Sequence, residues 1–186
     1  VLFLGMVLLA GCGETSSTQK PEKEDVLKSL RLANDYFMEK WSDPGEAIPY
    51  PSRKRNYETN VWTRAYYYEG LIDLWEIDPQ QRYLDYALEW GNKHDWKLRG
   101  TKNGWKTRNA DNQCAGQAYL YLYQLDPEKP ERYIANIKAS VDSMMVTDKI
   151  DDWHWIDAVQ MAMPIFAQLG NITGCLLYTS DAADEG

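Results

Sequence analysis

Two aspartates occupy positions from which they could do chemistry. Asp111 lies in Asn109-Ala110-Asp111-Asn112-Gln113-Cys114-Ala115-Gly116-Gln117, and Asp157 lies in the segment from Asp151 to Pro164 that carries Trp153, His154 and Trp155. Paired carboxyls are what general acid–base catalysis uses, one holding a transferable proton and the other orienting a hydroxyl or water. Each also has an ordinary explanation, because helix N-termini favour negative charge. Capping accounts well for Asp111 and better still for Asp151 or Asp152. It accounts less well for Asp157, which is flanked by Trp153, Trp155, Ala158, Met161 and Ala162; desolvation there would favour the neutral acid.

Other reactive types offer less. Of the Cys residues, Cys114 sits among small and aromatic residues and reads as core. No zinc spacing or disulfide framework exists, so neither metal nor cofactor is expected. His94, in Lys93-His94-Asp95-Trp96, reads as a helix C-terminal residue, and His154 as a hydrogen-bond partner on a rim. Arg53-Lys54-Arg55 could meet an acidic sugar, or simply be a solvated loop.

The elements that must position the aspartates are helical. Apolar residues recur at helical spacing over Glu24–Trp41, Thr59–Ile77, Gln80–Lys93, Asn109–Leu125, Lys129–Met145 and Trp153–Leu169. Loops join them at Ser42–Tyr57 and Asp95–Arg108, and strands should be few. Pro164 is expected to kink the sixth helix. The motif Leu74-Trp-Glu-Ile-Asp78-Pro79, with Arg82-Tyr83, recurs as Leu122-Tyr-Gln-Leu-Asp126-Pro127, with Arg132-Tyr133, and more faintly from Leu169. The period of about 48 residues predicts stacked helical hairpins. It also places Asp111 and Asp157 on the same rim, at the starts of equivalent helices. A tetratricopeptide scaffold would repeat at about 34 residues.

The run Trp-x-Trp-x-Asp-Ala-x-x-Met-Ala-x-Pro, from Trp153 to Pro164, resembles the signature of the unsaturated uronyl hydrolases, glycoside hydrolase families 88 and 105. Asn109-Ala-Asp111-Asn112 with Gln117-Ala-Tyr-Leu-Tyr-Leu-Tyr123, and Tyr68-Glu-Gly70-Leu-Ile-Asp-Leu-Trp75, extend the resemblance across residues 23–174. It implies an all-α fold, an (α/α)6 toroid with its active site in a funnel, of which this chain holds about three of six hairpins. It further implies removal of a terminal 4,5-unsaturated uronic acid from lyase-generated oligosaccharides. Asp157 would then be the general acid/base and Asp111 the second carboxylate. Trp155 and Trp62 would wall the sugar subsite, with His154 and Asn112 as further substrate contacts. Half a toroid is itself expected to be inactive, with an open funnel and exposed apolar faces.

The termini carry separate expectations. Val1–Ala10 is apolar but shorter than the roughly 20 residues of a bilayer span. With Leu9-Ala10-Gly11-Cys12 it resembles a truncated lipoprotein signal over 1–11, Cys12 being the lipidated residue and 12–22 a polar tether. That implies a lipid-anchored protein of the bacterial cell envelope. Cys175–Glu185 match, residue for residue, the translation of what resembles a transposase adapter used in sequencing libraries, and residues 175–186 are expected to pack against nothing.

Composition bounds the alternatives. The chain has 186 residues, 44% hydrophobic and 13% aromatic, enough to bury a core. Its net charge of −8, or −5 without Asp181, Asp184 and Glu185, argues against nucleic acid as a partner. Tyr 13 and Trp 8 against Phe 3 suit a sugar cleft, although such rings also serve cores. A non-catalytic glycan-binding helical-repeat lipoprotein shares these traits but gives no reason for paired aspartates at equivalent helix starts. A toroidal polysaccharide lyase shares the fold, although such enzymes usually take a Tyr, His or Lys base.

Overall fold

A computed structural model of the chain describes residues 20–50, 55–100 and 107–180. Helix α1 spans Lys23–Lys40, α2 Trp62–Ile77, α3 Gln81–Lys93, α4 Ala110–Gln113, α5 Ala115–Leu125, α6 Ala135–Met145, α7 Ile156–Thr173 and α8 Leu177–Ser180. The all-helical expectation holds, with two differences. A short antiparallel hairpin, β1 (Ile48–Tyr50) and β2 (Arg55–Tyr57), occupies the loop after α1. The helix expected over Asn109–Leu125 is divided at Cys114 into α4 and α5. Cys12 and residues 181–186 lie outside the described residues. No helix among the described residues is long and apolar enough to cross a membrane.

The sequence repeat is a structural one. Asp78 and Asp126 each end a helix by donating the backbone N–H to the fourth residue back, Leu74 at 2.8 Å and Leu122 at 3.0 Å. Pro79 and Pro127 follow, where the chain cannot continue helical hydrogen bonding. Tyr83 and Tyr133, the matching tyrosines, are both buried. Arg31 forks onto Asp78 through Nε and Nη2, both at 2.9 Å, and so ties α1 to the first of these turns.

Helices α2, α5 and α7 pack side by side in that order. Between α2 and α5 the chain returns through α3, with the four-residue α4 leading into α5, and between α5 and α7 it returns through α6, so the three run the same way. Their N-termini therefore share one rim, and the Asp-Pro turns after α2 and α5 share the other. Small residues permit the close packing: a Cβ on Gly116 would overlap the Ile137 side chain of α6. The end of α3 turns sharply through left-handed Asp95 (φ 50°) and Trp96 (φ 56°), and Trp96 N donates to Gly91 O at 2.9 Å. This lays the indole over Gly91, where a Cβ would lie 2.6 Å from the ring.

Much of the aromatic excess is core rather than cleft. Tyr68 stacks on Trp90 at 4.0 Å and Trp96 on Tyr133 at 3.5 Å, all four buried. His94, at the end of α3, receives or donates a 2.6 Å hydrogen bond with Thr59 Oγ1 and lies edge-on to Trp90. Burial pushes its imidazole down to about 4, so it does not act as a cationic helix cap. The folded state thus prefers the neutral ring. Its contribution is full above the unfolded value of about 6.5 and is lost as pH falls toward 4. Urea unfolding at pH 7.5 and pH 5 should show that loss, and His94→Gln should reduce it.

Pro164 lies inside α7, which runs on to Thr173 without a break. The missing Pro164 N–H would leave Gln160 O without its helical donor. Gln117 Nε2, buried on α5, donates to Gln160 O at 2.9 Å and to Met161 O at 3.0 Å. One side chain thereby satisfies the carbonyl that the proline frees and joins α5 to α7. Gln117→Leu should destabilise by about 1–3 kcal/mol, the cost of an unsatisfied buried group, measured by urea unfolding.

Residues 175–180 depart from expectation. Tyr178 of α8 is buried, and its hydroxyl donates to Asp142 Oδ1 at 2.6 Å. Leu176 and Leu177 remain exposed. The end hairpin presents apolar side chains that an aromatic ring covers favourably, whatever sequence supplies it. An apolar groove of about 530 Å³ remains there, lined by Met144, Met145, Met163, Phe166 and Tyr178 among others, and neither Asp111 nor Asp157 borders it.

Candidate functional site

The shared rim gathers the residues singled out from the sequence. Asp111 stands in α4, Asp157 in the first turn of α7 and Trp62 at the start of α2. Asp111 is partly buried, and its carboxyl is held above the usual range, first by burial and then by the charge of Asp157, with Arg99 opposing. The two carboxylates are thus electrostatic neighbours. Tyr66 lies one turn along α2 from Trp62. Its hydroxyl donates to Gln160 Oε1 of α7. Burial, then Cys114, Glu69, Asp157 and Asp111, push that phenol up to about 12.

Asp157 itself is exposed, which corrects the desolvated setting read from its neighbours. On a helix the buried Ala158, Met161, Ala162, Ile165 and Leu169 form one stripe, and Asp157 lies on the adjacent one with exposed Gln160. Trp153 also turns away, its ring edge-on to Phe166 at 5.9 Å. Trp155 is half-buried immediately before α7, and His154 is exposed, 6.3 Å from the Trp155 ring. Trp62 is 40% exposed and edge-on to Tyr66. Asn112 is partly buried, and its Nδ2 donates to Thr107 Oγ1 at 3.3 Å. A Cβ on Gly100 would overlap that amide. In this structure Asn112 therefore fastens the loop before α4.

Arg108 and Asp152 hold the two approaches to the rim together. Arg108 Nε donates to Asp152 Oδ1 at 2.9 Å, and Nη2 pairs with Oδ2. The same guanidinium reaches Thr147 Oγ1 at 2.9 Å, Lys149 O at 3.1 Å and Ser143 O at 3.3 Å. It therefore ties the segment entering α4 to the segment entering α7. The sequence pointed to neither residue as a partner of the other, because nothing local pairs positions 44 apart.

Glu69 is the titratable residue that the sequence reading passed over. It lies on α2 within the Tyr68-Glu-Gly70 run, with one oxygen 3.6 Å from the donating thiol of buried Cys114. Burial raises its carboxyl to about 7, with the Cys114 hydrogen bond opposing and Asp73 adding to the rise. The available signal was spacing: Trp62, Tyr66, Glu69 and Asp73 fall on one helical stripe. Among the described residues, no group of three or more His, Cys, Asp or Glu could hold a metal ion.

The profile of Glycosyl Hydrolase Family 88 matches residues 30–185, and the chain belongs to that family. Among solved structures, it is similar to a glycosyl hydrolase family 88 protein from Bacteroides vulgatus. The TM-score is 0.72 at 25% identity, over 84% of this chain and 44% of that one. A polysaccharide lyase has a similar fold, with TM-score 0.70 and 24% identity, over 84% of this chain and 43% of that one. The chain thus spans less than half the length of either structure. No curated protein sequence matches it.

Proposed function

We propose that the protein acts as a hydrolase on oligosaccharides ending in a 4,5-unsaturated uronic acid, by hydration of the C4=C5 double bond. The observation that carries this reading is the pairing of Asp111 with Asp157 on one rim, close enough that one charge disfavours the other, in a chain of family 88. Asp157 gives a proton to C4 while water, losing a proton to the same carboxyl, adds to C5. The hemiketal so formed opens and releases the next sugar. Ordinary glycosidases instead protonate the leaving oxygen and attack the anomeric carbon. In this reading Asp111 orients the sugar hydroxyls and water, and Trp155, Trp62 and His154 border the subsite. Asn112, held by Thr107, acts through the loop it fastens.

The substrate we favour is the unsaturated disaccharide from rhamnogalacturonan, which places the protein downstream of a lyase. Anchoring to an envelope membrane through lipidated Cys12 accompanies the proposal. Loss of the ultraviolet absorbance of the enol ether, followed in the intact protein with that disaccharide, tests the activity; unchanged absorbance would reject it. Radiolabelled fatty acid retained by wild type but not by Cys12→Ser tests the anchor.

A further inference from the structure

On the hydrolase reading, the substrate is an anion, and two arginines of the rim are engaged elsewhere. Arg108 is forked onto Asp152, with Nε at 2.9 Å, and the Arg99 guanidinium stands over the Tyr57 ring at 4.6 Å. A neutral amide can supply a donor in their place, because its NH2 carries two N–H groups and no charge. One amide beside Asp157 is held so as to do this.

Gln160 stands on α7 one turn beyond Asp157, at the i, i+3 spacing that sets Cβ atoms about 5–6 Å apart on one face. Like Asp157 it is exposed. Its backbone is fixed, since Gln160 O accepts from the buried Gln117 Nε2 of α5 at 2.9 Å. Its side chain is fixed as well, since Oε1 accepts from the Tyr66 hydroxyl of α2. Tyr66 is half-buried and edge-on to Trp62, with ring centroids 6.3 Å apart. Residues of α2, α5 and α7 thus meet at Gln160, although 94 positions separate it from Tyr66. With its oxygen taken by Tyr66, the amide turns its NH2 outward, and among the described residues Nε2 has no hydrogen-bond partner. An amide held by one end is oriented before a ligand arrives, which lowers the cost of binding.

We infer that Gln160 is a substrate-binding residue beside Asp157, its side-chain NH2 donating to the anionic uronate while Tyr66 holds its oxygen. One sugar residue can touch both the Asp157 carboxyl and this amide, because the two side chains are neighbours on one helix face. Tyr66 acts through Gln160 and is a positioning residue.

The test is steady-state kinetics of the full-length protein on the unsaturated rhamnogalacturonan disaccharide at about pH 7, with unfolding midpoints measured alongside. Gln160→Met keeps the length of the side chain without its donor. It should raise KM roughly tenfold, the scale of a lost hydrogen bond to a charged group, with kcat within about twofold. Its unfolding midpoint should stay nearly unchanged, because the side chain is exposed. Gln160→Glu keeps the acceptor for Tyr66 but sets a negative charge against the substrate, and should raise KM further. Tyr66→Phe frees the amide and should raise KM by less than Gln160→Met does. Added to Gln160→Met, it should have little further effect. An unchanged KM in Gln160→Met, or a loss confined to kcat, would overturn the inference. So would a Tyr66→Phe effect that persists undiminished in the Gln160→Met background. If wild type does not turn the disaccharide over, the hydrolase reading fails by itself, and calorimetry with glucuronate then decides the role of Gln160. Binding by wild type that Gln160→Met weakens supports it. Absent binding, or equal binding by both, overturns it.

Discussion

In the full-length protein, Asp157→Asn should lower turnover of the unsaturated disaccharide by roughly 10²-fold or more, the usual scale of lost general acid–base catalysis. The amide keeps the shape of the side chain but can neither supply a proton to C4 nor take one from water. Because Asp157 is exposed and makes no packing contribution to the buried stripe of α7, the substitution should leave the unfolding midpoint nearly unchanged. That separates the prediction from a folding defect. Asp111→Asn should also impair the reaction, since it removes the second carboxylate. His94→Ala, at the C-terminal end of α3 and bonded to Thr59, should not affect the chemistry at neutral pH, since the ring is occupied with Thr59 and Trp90. Near-native turnover by Asp157→Asn would make Asp157 a capping residue and end the proposed mechanism.

The second large effect is expected at Arg108. Its side chain is 22% exposed and that of Asp152 only 9%. Arg108→Ala leaves Asp152 with Lys149 at 3.0 Å as its remaining ion partner, and strips Thr147, Ser143 and Lys149 O of a donor. Removing one partner of such a pair should cost about 3 kcal/mol, read from urea unfolding. Arg108→Lys retains the charge but not the fork, and should fall between. The guanidinium holds the Asp152 carboxyl below the usual carboxylate range, with Lys149 contributing. Sign follows from that direction: the stabilisation is present above the unfolded value of about 4 and is lost as pH falls through the folded one. Wild type should therefore lose stability in acid more steeply than Arg108→Ala. Since Arg108 is three residues from Asp111 and Asp152 five from Asp157, kcat should fall as well. An unchanged unfolding curve in Arg108→Ala would remove the fork from the account.

Periodicity and repetition made most of the architecture readable. Helical spacing located α1, α2, α3, α6 and α7, since their apolar stripes face one side and need no knowledge of partners. The Asp-Pro repeat marked the turns, because proline stops a helix through its own ring and missing N–H. From the repeat followed the common direction of α2, α5 and α7, and hence the rim shared by Asp111 and Asp157. These are properties that a residue carries locally or that recur at a fixed interval.

What the sequence could not determine depends on which distant side chain arrives. Gln117 reaching Gln160 O is why Pro164 does not break α7. Burial among neighbouring helices is why Glu69 holds its proton to higher pH than a free carboxyl, against the opposing Cys114 hydrogen bond, though it reads like any surface glutamate of a helix. The exposure of Asp157 was misjudged because adjacent residues on a helix point about 100° apart, so apolar neighbours in sequence are not a desolvating shell in space. The sequence by itself determined the helices, their turns and the end of the array at which the acids stand. Only the tertiary structure decided their burial and charge environment, because desolvation and Coulomb interactions depend on distance through space and not on separation along the chain.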